Sequence, residues 1–177
     1  MKYFFFFVFQ MLWGIFSFAQ YDTLKFPIPM QNGLVIYERE YPLTKNKSAA
    51  QILGNFAKRL SSVAPDYHPG IPNKNELKQA ISGAILFRVD IPQTGNYFWL
   101  KASFRLLANE NSMKIQVKDF YEKPIEKGVT NDYSKIEYRW WDVRHAKPWS
   151  NEDEALFMGL DQKTRNFLDL TGKEITE

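Results

Sequence analysis

Two histidines and no cysteine bound the chemistry open to this chain. His68 lies in PDYHPG. His145 lies in DVRHAK, within the stretch YRWWDVRHAKPW (Tyr138 to Trp149) that also holds three of the five tryptophans. Without a thiol, covalent catalysis would need a serine, threonine or lysine activated by a base. No G-x-S-x-G elbow is present to expose a serine. Asp142 and His145 are three apart and share a face if that segment is helical, so a hydrolase using His145 is the enzymatic reading. A zinc ion takes at least three protein ligands, and no further histidine lies nearby. Glu38 with Glu40, and Glu152 with Asp153 and Glu154, read as exposed acids on a strand and at a helix start, where the helix dipole favours them. No glycine-rich phosphate loop occurs. The residues predict no catalytic group, no cofactor and no metal.

Alternation marks a second constellation. In an extended chain, Tyr97, Trp99, Lys101, Ser103 and Arg105 fall on one side of a strand. Lys114, Gln116 and Lys118 are available from its neighbour, and Arg88 can join them. Aromatic and basic residues interleaved on an open sheet are what single-strand nucleic-acid binders use. The same groups serve an envelope polymer, an anionic glycan or a protein edge. They also stabilise a solvated sheet face that binds nothing. The candidate binding face is therefore Tyr97, Trp99, Lys101, Arg105, Lys114 and Lys118. Trp140, Trp141 and His145 form a secondary candidate. Adjacent tryptophans in an extended chain point opposite ways, so at least one of the pair packs inward, and Trp149 after Pro148 suits a hydrophobic staple before a helix cap at Ser150. That stretch reads first as a clasp and second as a ligand contact.

These residues must be positioned by elements that the pattern also supplies. Asn32-Gly33 is a type I′ turn signal, and the residues from Val35 to Tyr41 alternate as a strand. Pro27 and Pro29 confine the preceding piece to an edge or loop. Ala49, Ile52, Leu53, Phe56, Leu60 and Val63 recur at helical spacing within 44–64, with Thr44 or Asn46 as cap and Pro65 as stop. PDYHPGIPNKN (Pro65 to Asn75) reads as a loop. Three strands follow around 84–91, 97–106 and 113–118, joined by the turn-rich PQTGN and ANEN as antiparallel hairpins. Residues 127–149 read as an irregular connector. A last helix spans 150–171, weakened at Gly159 and capped near Gly172.

The beginning of the chain reads differently. Lys2, an apolar run from Phe4 to Phe18 and a small residue at Ala19 have the form of a secretory signal peptide, too short for a membrane span. Cleavage after Ala19 removes nine of the 29 aromatic residues and leaves 158 residues at a formal +2. That charge is too small to announce a polyanion partner, and the absence of cysteine excludes disulfides and a lipidated +1 cysteine. Residues 150–177 carry seven acids and three bases, so an acidic terminal helix lies on a basic body. The expected organisation is a signal peptide at 1–19 and one domain at 20–177, its core about 25–126. The fold class is α+β: a single curved antiparallel sheet with two helices packed on one face.

A leader ending in F-A-Q, then FPIPMQNGLVIYEREYPL, a basic amphipathic helix, SGAILFRV and MKIQVKDFYEKPIE resemble the DUF4468 family. That family is a domain of unknown function with a TBP-like fold, found mainly in Bacteroidetes. The resemblance covers roughly 25–126 and implies fold and compartment without importing any catalytic residue. Asp22-Thr23-Leu24 is similar to the acceptor of Bacteroidetes O-glycosylation, which would place a glycan on Thr23. The functional expectation is a periplasmic or secreted non-enzymatic domain that binds a protein or cell-envelope component through its open sheet face. Neither nucleic acid nor a membrane span in the mature chain is expected. An inhibitor or accessory module of a periplasmic enzyme is the alternative.

Overall fold

The computed structural model describes residues 28–43, 48–75, 79–92, 94–124, 132–145 and 150–176. The expected signal peptide, Thr23, Thr44, Asn46 and Trp149 lie outside these residues, as do the side chains of residues 143–145.

Asn32 and Gly33 both take positive φ, 51° and 78°, the conformation a type I′ turn demands. They join β1 (Met30–Gln31) to β2 (Leu34–Val35) in a small two-stranded sheet. Strand β3 (Tyr37–Pro42) then enters the main sheet, followed by helix α1 (Ala49–Val63). The cap of α1 is Ser48. Its hydroxyl accepts from the Gln51 amide at 3.3 Å, and Gln51 Oε1 accepts from the Ser48 amide at 3.0 Å. The apolar stripe Ile52, Leu53, Phe56 and Leu60 is buried.

The segment 65–75 departs from the loop expectation. Pro65–Tyr67 is a 3-10 turn, and Asn73–Asn75 forms β4, paired with the start of β5 (Ala80–Asp90). All three β4 residues are exposed, so no apolar alternation announces this edge strand. β6 (Tyr97–Ala108) and β7 (Ser112–Pro124) complete the antiparallel order β3-β7-β6-β5-β4.

Residues 127–149 are not irregular throughout. β8 (Ser134–Lys135) pairs with β7, and α2 (Ile136–His145) follows. Among the described side chains of α2 the buried ones are Ile136, Glu137 and Trp140, and a buried acid among them hides the apolar period. The molecule therefore has three α-helices among its described residues, one more than expected.

The last helix, α3 (Asn151–Thr176), runs through Gly172 instead of ending there. A Cβ at Gly172 would collide with the Tyr41 ring, and one at Gly159 with the Val89 side chain. Both glycines mark where the helix lies close against the sheet.

The core fills the space between the sheet and its helices. Phe56, Phe87, Phe104, Phe120, Phe157 and Phe167 are fully buried there. Three tyrosines hold α3 through their hydroxyls: Tyr37 donates to Asp161 at 2.9 Å, Tyr67 to the Lys163 carbonyl at 2.8 Å, and Tyr41 to the Leu168 carbonyl at 2.5 Å. Burial, reinforced by nearby Asp161 for Tyr37 and Asp66 for Tyr67, raises both phenols, that of Tyr67 to about 12. The opposite face of the sheet is covered by no helix among the described residues.

Candidate functional site

Strict alternation along β6 sends Phe98, Leu100, Ala102, Phe104 and Leu106 into the core. Tyr97, Trp99, Lys101, Ser103 and Arg105 take the outer face. Met113, Ile115 and Val117 of β7 point inward, which places Lys114, Gln116 and Lys118 outward. The six residues of the candidate face therefore share one side of the sheet.

Just beyond Lys118 the phase changes. Lys101 faces Tyr121 while Ser103 faces Lys118, so Ala102 stands opposite the two residues Asp119 and Phe120. This is a β-bulge, and Asp119 takes φ 55°, a conformation that aspartate tolerates better than most side chains. The extra residue turns Phe120 and Glu122 inward.

Cross-strand register places Ser103 at the middle of a depression. Its neighbours are Ala84 on β5 and Lys118 on β7, with Lys101 and Arg105 two positions away along β6. Ser82 lies opposite Arg105, and Asn73 lies opposite Ser82. Short side chains at Ser82, Ala84 and Ser103 leave a concavity of about 470 Å³, rimmed by Lys101, Arg105 and Lys118. Its outer lip is Ile71, which is 99% exposed. The lining holds cations, hydroxyls and amides beside the apolar Ile71, Ala84 and Phe104, with no carboxylate or imidazole among the described residues.

The members of this face have different electrostatic circumstances. Lys114 is paired with Glu38 at 2.9 Å, and Gln116 donates to the same carboxylate at 2.6 Å. Those two contacts hold the Glu38 carboxyl below its ordinary range. Arg88 is paired with Asp90, and its guanidinium lies 3.9 Å from the Tyr97 ring centre. Trp99 is half-buried, edge-on to Tyr97 at 6.4 Å and to His68 at 5.9 Å. His68 reaches it from the segment beside β5, at a left-handed backbone position. Among the described residues no acid pairs with Lys101, Arg105 or Lys118.

The secondary candidate lies on the other side of the sheet. Trp140 is 4% exposed and packs against Phe157 of α3 at 5.5 Å, so no ligand reaches it in this state. Adjacent residues on a helix diverge by about 100°, and Trp141 is exposed. The helical backbone of α2 does place Asp142 and His145 one turn apart.

One cluster goes beyond the sequence reading: Ser150 caps the last helix as expected, but Asp153, expected as an exposed acid, is buried. Arg139 of α2 donates from Nε to Glu122 of β7 and from a terminal nitrogen to Asp153 of α3, both at 2.8 Å. Its guanidinium also lies 5.0 Å from the Phe98 ring centre. Asp153 further accepts from the Ser150 hydroxyl at 2.6 Å and from the Ser150 amide. Burial raises the Glu122 carboxyl above its ordinary range against the pull of Arg139. For Asp153 burial pushes upward, but Ser150 and Arg139 outweigh it and the carboxyl is held low. Glu137 accepts from the buried Val35 amide at 3.0 Å, tying α2 to the first hairpin. The bulge that turns Glu122 inward is what makes the cluster, and sequence alternation alone does not reveal it.

No family model matches the chain, and no curated protein matches it. Two solved structures share its fold. A DUF4468 family protein from Bacteroides ovatus is 12% identical at a TM-score of 0.64, over 85% of this chain and 91% of that one. A TBP-like protein from Parabacteroides distasonis is 17% identical at a TM-score of 0.56, over 81% of this chain and 96% of that one. The fold is α+β and TBP-like, as the DUF4468 resemblance implied.

Proposed function

We propose that this TBP-like chain is a DUF4468-type exported domain without enzymatic activity, and that it binds a protein or cell-envelope component through the open face of its sheet. The observation that carries the reading is the triad of Lys101, Arg105 and Lys118, with no acid partner among the described residues, around a floor of small residues. Charges placed only for solubility are normally interspersed with opposite charges, as Lys114 and Glu38 are on the same face. The lining of the concavity supports binding over catalysis, because among the described residues it offers hydrogen-bond donors and positive charge but no carboxylate or imidazole to act as a base. Export rests on Lys2, the apolar run from Phe4 to Phe18 and Ala19. No helix among the described residues is long and apolar enough to cross a membrane.

The test is retention of envelope material by the purified mature domain. Arg105→Ala and Lys101→Ala are expected to reduce retention while leaving the melting temperature unchanged, since both side chains are exposed. Trp99→Ala is expected to weaken both modestly, because Trp99 is half-buried. Equal retention by the two charge variants and the wild type would refute the reading.

A further inference from the structure

The geometry points to an acidic polysaccharide, carrying one carboxylate on successive sugar rings, as the occupant of the concavity centred on Ser103. This rests on the open-face reading above and specifies its ligand. Three features of the site lead there.

The first is the arrangement of the cations. Same-face neighbours lie about 7 Å apart along a strand and about 5 Å apart across strands. Lys101, Arg105 and Lys118 therefore stand on three sides of Ser103. Cations at separate backbone positions suit single charges distributed along a polymer, with Arg105 able to take a carboxylate in two parallel hydrogen bonds.

The second is the floor. Ser82, Ser103 and Gln116 present hydroxyls and an amide, and Asn73 stands at its edge. Sugar hydroxyls both donate and accept, which these groups match. A protein partner would need an apolar anchor in a desolvated pocket, whereas the apolar part of this lining, Ile71, Ala84 and Phe104, lies among cations and hydroxyls and suits the C–H face of a sugar ring. The volume of about 470 Å³ lies within the range of small-ligand sites.

The third separates glycan from nucleic acid. A single-strand binder needs aromatic faces free for base stacking. The Tyr97 face is occupied by the Arg88 guanidinium, and Trp99 is half-buried against Tyr97 and His68. Among the described residues this face offers three cations without an acid partner, while its Tyr97 and Trp99 rings are engaged and only Tyr121, opposite Lys101, adds further aromatic area.

The experiment is calorimetric titration of the mature domain with oligogalacturonates, their methyl esters, poly-glutamate and single-stranded DNA. The methyl ester keeps the rings and most hydroxyls but loses the charge. The acid form is expected to bind, more weakly as salt is raised, with the ester at least tenfold weaker. Lys101→Ala and Arg105→Ala are each expected to cost about tenfold, the scale of one charge-assisted hydrogen bond. Lys58→Ala, an exposed change on α1, is expected to cost nothing. Melting curves confirm that each variant is folded. Equal binding of acid and ester, poly-glutamate or DNA binding as tight as the acid glycan, or unchanged affinity in both variants would overturn the proposal. If the glycan fails while Arg105→Ala still abolishes envelope retention, only the ligand assignment falls. If retention too is indifferent to Arg105, the open-face reading falls with it.

Discussion

Arg139 shows how a single side chain can join three elements. It is 26% exposed and stands between two buried carboxylates. Removing it leaves Glu122 without its guanidinium while Asp153 keeps its bonds from Ser150, and breaking a buried pair from one side costs about 3–5 kcal/mol. Discounting for the partial exposure of Arg139, Arg139→Ala should cost about 3 kcal/mol at neutral pH by chemical denaturation. Without the guanidinium, burial raises the Glu122 carboxyl further above its unfolded range. Such a group contributes stability below the unfolded pKa and loses it as pH rises, so the deficit of Arg139→Ala should shrink as pH falls from 7 towards about 4. In the wild type Glu122 is already raised, chiefly by burial, and so is a net cost at neutral pH. Glu122→Gln, which keeps an acceptor for Arg139 without the buried charge, should therefore be close to neutral at pH 7 in the same measurement. A pH-independent deficit in Arg139→Ala would mean that the cluster is packing, not electrostatics.

The elements differ in how far sequence reveals them. β5, β6 and β7 announce themselves because each buries one face, so apolar and polar residues alternate for the length of the strand. α1 does so because its buried stripe is wholly apolar. β4 buries nothing, and α2 buries Glu137 among its apolar residues, so neither has a period to read. For the outer face, alternation finds Lys101, Arg105 and Lys118, but the depression depends on Ser82 and Ala84 in the neighbouring strand. Their contribution appears only when register sets them beside Ser103. The glycines of α3 carry a related lesson. Gly159 and Gly172 look like weak points, since replacing a mid-helix glycine by alanine normally gains about 1 kcal/mol. Here the added methyl meets Val89 or Tyr41. Gly159→Ala and Gly172→Ala should each destabilise by about 1–3 kcal/mol, read as a fall in melting temperature. A rise would place the helix farther from the sheet than the structure does.

At the scale of the whole molecule the two faces of the sheet have divided roles. One face carries the aromatic core, the tyrosine contacts to α3 and the Arg139 cluster. The other carries a depression of mixed polarity rimmed by three cations that no acid pairs among the described residues. Like charges at this spacing repel, so the triple variant Lys101→Ala, Arg105→Ala, Lys118→Ala should melt no lower than the wild type and slightly higher at low salt. A fall of several degrees would assign these residues to the fold. Export adds a prediction of its own: expressed in a bacterium that secretes through this type of leader, the chain should appear outside the cytoplasm with Gln20 at its amino terminus, as read by mass spectrometry. Retention of Met1 in the cytoplasm would remove the envelope from the account. The most direct test of the open-face reading is photo-cross-linking in the intact cell, with a photoreactive residue in place of Ser103 and, separately, in place of Lys58. The account predicts a discrete cross-linked envelope species from position 103 and none from position 58. No product at 103, or the same products from both positions, would contradict it.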